Sequence, residues 1–399
     1  MGATMLSLFL KYTFIVVAVA LGLYLGLLGL LTTPSFQAHV VYLHKIQMTW
    51  SKNLNVPESF GFLRGQVTPF SIKSPDGQSL FAWHILPVEL YRQHEADLVA
   101  EPAGFVSDST SRAAFNLLRN DPDARLVIHM HGAAGTIGSG YRVPNYRALS
   151  AGQPSKIHVL TFDYRGFGYS SGSPSERGLC LDATAVVEWA MNVAGIPSSR
   201  ILIVAQSIGT AVALAVSEHF ALQSPSIVFA GTLLIAPFID VATLVATYSV
   251  AGTIPIISPL AKYPRLFSYL RTFIKDRWSS KDRISGYIRA VTAASEKYQL
   301  TLIHARDDWD IPYIHTQKLF RHAVDATVSQ ELTDDEFELA TSEHKQNLGA
   351  AGSVVDWRTD HGIIREEILE TGLHDVVMGN PVVSLATMRL LVAADPSFK

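Results

Sequence analysis

The stretch ILIVAQSIGTAVALAVSEHF, residues 201–220, decides how this chain is read. An apolar run rich in Ile, Leu and Val passes directly into Ala205-Gln206-Ser207-Ile208-Gly209, and a helix-forming stretch follows with no spacer. This is the G-x-S-x-G pattern of a sharp strand-to-helix turn, with Ala205 at the first glycine position. Such a turn lifts the serine hydroxyl above the sheet edge. The residues two places either side must be small, because backbones pass close there. At a helix N-terminus, negative charge developing on that oxygen is also favoured. Taken alone, the pentapeptide fits a serine capping an ordinary helix equally well. Its surroundings separate the two readings.

Upstream, RLVIHMHGAAGTIGSGYR (125–142) ends an apolar run in His131-Gly132-Ala133-Ala134-Gly135. Small residues there leave backbone N–H groups free to face an oxyanion, so Ala133 and Ile208 are the candidate pair of donors. A plain glycine-rich turn has the same composition. A phosphate loop does not fit, because no Gly-Lys-Ser/Thr follows. Asp163 and Arg165, in the run TFDYRGFGYS (161–170), precede the serine strand and are expected to brace loops.

Downstream, the chain order for this chemistry is serine, then acid, then histidine. The segment TLIHARDDWDIP (301–312) offers Asp307, Asp308 and Asp310, and the Asp-x-x-Ile-Pro spacing ranks Asp308 first. His374, in Thr371-Gly372-Leu373-His374-Asp375, follows the last apolar run and is the expected base, with His361 its rival. His315 and His322 are expected on the helix after the acid, and His344 in an acidic stretch. His129 and His131 share a strand face, but no carboxylate or cysteine close by completes a metal set. No metal or cofactor is expected.

Short apolar runs at Leu126–Met130, His158–Phe162, Ile201–Ala205, Ile227–Ala236, Leu300–Ile303 and Ile363–Leu369 alternate with helical stretches such as 181–194 and 209–222. That pattern predicts an α/β fold, a mostly parallel twisted sheet with helices on both faces. VTPFSIKSPDGQSLFAWHILP (67–87) adds a hairpin around Pro75-Asp76-Gly77. Residues 91–123 read as exposed helix or loop.

In the 399 residues, 48% are hydrophobic and 17% charged, against roughly 25% charged in an average soluble chain. Disorder is excluded, and a net charge of −3 gives no footprint for nucleic acid. Cys180, the single cysteine, cannot form an internal disulfide. Much of the apolar excess lies in FIVVAVALGLYLGLLGLL, residues 14–31, long enough to span a bilayer. A signal peptide has a shorter apolar region and a small-residue cleavage site, which TTPSFQAHVV supplies poorly. The expected organisation is a membrane anchor over 1–35, a connector over 36–64 and a catalytic domain over 65–399. Within that domain, 241–298 reads as a lid-like apolar insert and 325–360 as an acidic, solvated one.

Together, His131-Gly132-x-Ala134-Gly135-Thr136, the run TFDYRGFGYSSGSPSERG (161–178) and the turn at Ser207 resemble the α/β-hydrolase superfamily. Within it the resemblance is to the membrane-anchored abhydrolase-domain lipases that cleave monoacylglycerol and lysophosphatidylserine. It covers residues 65–322 and the surroundings of His374, with departures at Ala205, Ala133 and 325–360. The resemblance implies a helical lid, a single-pass anchor in the endoplasmic reticulum membrane and a lipid ester substrate. It also implies a Ser207-Asp308-His374 triad working through an acyl-enzyme without a cofactor. An acyl-protein thioesterase and a catalytically silent membrane-tethered scaffold are the competing readings.

Overall fold

The computed structural model describes residues 2–250, 254–255 and 257–398. The strands are β1 (Val67–Lys73), β2 (Ser79–Ile85), β3 (Arg125–Met130), β4 (Ile157–Phe162), β5 (Ile201–Gln206) and β6 (Gly231–Ile235). A two-residue pair, β7 (Ser249–Val250) and β8 (Ile254–Pro255), stands apart. The chain then forms β9 (Tyr298–Ala305), β10 (Lys345–Asn347), β11 (Ser353–Arg358) and β12 (Gly362–Leu369). One sheet runs β1-β2-β4-β3-β5-β6-β9-β12-β11-β10. It is parallel from β4 to β12 and closed at each edge by antiparallel strands.

Side-chain alternation divides the core. Ile201, Ile203 and Ala205 of β5 pack on one face with helices Glu176–Glu188, Ile208–Ala221, Ser280–Ala293 and Ile314–Asp325. Leu202 and Val204 pack on the other with Arg142–Ser150 and Pro381–Ala394. A strand buried on both faces needs apolar residues at every position, and β5 has no charged one. Each fully buried Leu or Ile contributes about 1.5–3 kcal/mol. This is the mostly parallel, two-faced α/β arrangement that the alternating runs predict.

Four local expectations differ from what forms. β6 begins at Gly231 rather than Ile227, because the Ile227 N–H turns back to the Phe220 carbonyl at the end of the preceding helix. The insert expected over 241–298 is shorter. Helix Ser280–Ala293 buries Ile284, Tyr287, Ile288 and Val291 in the main core, so the extra material ends near Trp278. Residues 251–253 and Ile256 of that insert lie outside the described residues. The acidic stretch 325–360 is only half solvated. Asp334, Asp335 and Glu336 lie in the first turn of helix Asp334–Ser342, where a helix favours negative charge, and β10 and β11 then extend the sheet. Residues 91–123 are likewise part of the body, since helix Ala113–Asn120 buries Ala114, Phe115 and Leu118.

At the N-terminus, helix Gly2–Leu31 is exposed along its apolar length. Helix Pro34–Tyr42 follows and inserts Tyr42 into the core, whereas Trp50 is exposed.

Candidate active site

Parallel strands β3, β5, β9 and β12 bring the loops after them to one edge of the sheet, where open α/β folds bind ligands. After β5, Ser207 adopts φ 54° and ψ −126°, a left-sided conformation that costs about 1–3 kcal/mol in a non-glycine residue. The turn is held by Ser207 N–H donating to the Ile235 carbonyl at 3.0 Å. Gly209 explains why the motif needs a small residue: a Cβ there would lie 2.2 Å from the Met130 carbonyl oxygen. Among the described residues the Ser207 hydroxyl has no hydrogen-bond partner, and a Cβ at Gly132 would crowd the Ser207 side chain, 3.1 Å from its Cβ.

The histidine and the acid meet. His374 Nδ1 donates to Asp308 Oδ2 at 2.7 Å. Asp308 Oδ1 accepts from the backbone N–H groups of Asp310 and Ile311, each at 2.9 Å. His304 Nε2 adds a contact to Oδ2 at 3.1 Å. Burial alone would raise the Asp308 pKa, but the bonds from His304 and His374 hold it well below the usual carboxylate range. For His374 the balance runs the other way. Burial disfavours the imidazolium, yet the bond to Asp308 and the charges of Asp308, Asp310 and Asp375 raise its pKa above the ordinary value.

The rivals fall into other places. Asp307 Oδ1 accepts from the N–H groups of Gly372 and Leu373, at 2.9 and 2.8 Å, and so holds the histidine loop. Asp310 stands beside Asp308 and His374 and acts on them through its charge. His361 precedes β12, at the opposite end of that strand from His374. His315 bonds Ile239 N–H and Thr247, and His322 shares its helix.

Residues that sequence reading passed over complete the geometry. Gln206 Nε2–H donates to the His374 carbonyl at 2.7 Å, joining the serine turn to the histidine loop. Arg142 Nη2 donates to the carbonyls of Gly132, Ala133 and Ala134 at 3.0, 3.1 and 2.8 Å, and Nη1 to Thr136 at 2.6 Å. His131 Nδ1 adds a second bond to the Gly132 carbonyl at 2.7 Å. In a trans peptide the C=O and N–H point opposite ways, so anchoring the Gly132 carbonyl turns the Ala133 N–H away from the clamp. Among the described residues neither the Ala133 nor the Ile208 N–H has an acceptor. Asp163, expected to brace, accepts from Ile137 N–H at 2.9 Å, and burial pushes its pKa up to about 7. Arg165 pairs with Asp182 and Asp76.

A profile described as the alpha/beta hydrolase family matches residues 126–383. The chain is similar to the lysophosphatidylserine lipase ABHD12 of Danio rerio, 31% identical over 195 residues, covering 48% of this chain and 45% of that protein. It is also similar to the Xenopus tropicalis protein of that name, 27% identical over 311 residues, 77% of this chain and 70% of the other. Among solved structures, an alpha-beta hydrolase from Vibrio vulnificus superposes with a TM-score of 0.55 at 14% identity, over 90% of this chain and 94% of that one. With the profile spanning more than half of its length, the chain belongs to the alpha/beta hydrolase family.

Proposed function

We propose that this chain is a serine hydrolase that cleaves carboxylic esters of lipids, of monoacylglycerol or lysophospholipid type, at a membrane. The observation that carries the reading is the 2.7 Å bond between Asp308 and His374 on a loop tied to the Ser207 turn through Gln206. With Nδ1–H committed to Asp308, the His374 Nε2 keeps the lone pair a general base requires. Ser207 Oγ attacks the ester carbonyl while Nε2 takes its proton, then returns it to the leaving alcohol. Asp308 stabilises the imidazolium formed in between. The Ala133 and Ile208 N–H groups receive the tetrahedral oxyanion, and Arg142 keeps the first of them in place. Water then attacks the acyl-enzyme with His374 again as base.

Membrane anchoring is supported by the exposed apolar helix Gly2–Leu31, and lipid substrates by the similarity to lysophosphatidylserine lipases. An endoplasmic reticulum location follows the family resemblance. Turnover of monoacylglycerol, lysophospholipid and acyl-cysteine substrates in membranes, comparing the wild-type chain with Ser207→Ala, tests the reading. Serine-dependent loss of a glycerolipid or lysophospholipid activity is expected. Turnover confined to acyl-cysteine would make the protein a thioesterase, and no turnover a scaffold.

A further inference from the structure

Residues 262–277, within the extra material, pack against the anchor and the helix that follows it. Gln37, on the helix after the anchor, donates Nε2–H to the Phe273 carbonyl at 2.6 Å and accepts from Lys275 N–H at 3.0 Å. Tyr42 OH donates to Asp276 Oδ2 at 2.7 Å. Phe267, Leu270 and Phe273 line one apolar cleft with Leu28 and Leu31, from the last turns of the anchor helix. The segment is therefore fixed at the level where the anchor ends.

Its outer surface has two features that water alone does not explain. On and beside helix Pro264–Arg271, Tyr263, Leu266, Tyr269 and Phe273 are exposed by 65, 44, 62 and 37%. Leu266 and Tyr269, three apart on the helix, share one face, and Tyr263 and Phe273 flank its two ends. Alongside lie five exposed cations, Lys262, Arg265, Arg271, Lys275 and Arg277, none with an ion pair among the described residues. Asp276 is the one acid in 262–277, and Tyr42 occupies it. An aromatic and aliphatic stripe edged by cations without an ion pair among the described residues is the composition of a helix lying in the bilayer interface. Its cations are complementary to anionic headgroups.

We propose that residues 262–277 are a second membrane contact, resting on a leaflet that contains anionic phospholipid. Tyr263, Leu266 and Tyr269 enter the boundary between headgroups and acyl chains. The five cations face lipid phosphate and carboxylate groups. The inference rests on the anchor reading of Gly2–Leu31. It adds that this segment is held against the lipid surface by its own side chains.

The test uses the full chain carrying Cys180→Ser, with single cysteines bearing an environment-sensitive fluorophore. The protein is reconstituted in phosphatidylcholine vesicles, with or without phosphatidylserine, that contain a nitroxide-labelled lipid quencher. Leu21→Cys reports the anchor. Leu266→Cys and Tyr269→Cys report the segment 262–277, and Leu222→Cys, exposed at the far end of the helix after Ser207, is the control. Fluorescence loss is expected at 21, 266 and 269 and not at 222. The loss at 266 and 269 should be larger with phosphatidylserine. Changing the five cations to Gln should abolish that lipid dependence while leaving position 21 quenched. Quenching at 21 with 266 and 269 as bright as 222 overturns the second contact alone. Brightness at all four positions overturns the anchor with it. Quenching at 266 and 269 that ignores both phosphatidylserine and the Gln changes overturns the anionic-lipid assignment.

Discussion

Gln206 and His374, 168 positions apart in the chain, are joined by a 2.7 Å hydrogen bond from the Gln206 amide to the His374 main-chain carbonyl. The residue just before the serine thus fixes the loop that carries the proposed base. Gln206→Leu keeps the bulk and removes the donor. A misplaced reacting group costs up to about 10²-fold, so kcat should fall by roughly ten- to a hundredfold with KM little changed. Steady-state kinetics on a soluble ester checks this, and an unchanged kcat would remove Gln206 from the design.

Arg142 works on the other side of the serine. Its donors to four carbonyls of one loop, those of Gly132, Ala133, Ala134 and Thr136, fix the peptide whose N–H is the proposed Ala133 donor. Loss of one oxyanion donor costs about 10²–10³ in kcat. Arg142→Lys cannot reproduce the fork and should lose part of that in kcat with KM preserved. A guanidinium ion added to Arg142→Ala should restore more activity than ammonium does. Equal rescue by both would contradict the clamp.

The acid limb of the pH profile follows from His374. Its pKa is raised, so the neutral base is lost as pH falls through a value above the ordinary 6.5. Asp310→Asn removes one of the negative charges that raise it. The imidazolium then becomes less favoured, and the limb of kcat/KM should move to lower pH with the triad intact. A limb that stays put or moves to higher pH contradicts the assignment.

Gly209→Ala tests the turn itself. Its Cβ would meet the Met130 carbonyl oxygen at 2.2 Å, and main chain cannot move aside as a side chain can. Overpacking of this kind costs about 1–3 kcal/mol, so thermal unfolding should show a clear drop in Tm. Full stability would mean the turn is looser than its geometry indicates.

The sheet and the three proposed reacting residues could be read from the chain because each sits beside a strong local signal. The β5 run flows into a small-residue turn, Asp308 follows a buried strand, and His374 follows the last one. Gln206 and Arg142 carry no such mark. Their partners are main-chain carbonyls, which every residue has, so nothing in the sequence shows where those amide and guanidinium groups will go. The insert 241–298 looked longer than it is because Ser280–Ala293 is amphipathic, and only the packing of Ile284 and Ile288 reveals it as a core helix. The strands β10 and β11 are hidden in the sequence by the acidic helix before them, which places Asp334, Asp335 and Glu336 in its first turn.

Labelling with a fluorophosphonate probe, which bonds only an activated serine, tests the central claim most directly. The wild-type chain should react and Ser207→Ala should not, while His374→Ala and Asp308→Ala should react far more slowly. A folded wild-type chain that stays unlabelled, or a Ser207→Ala chain that labels as well as wild type, would contradict the proposed chemistry.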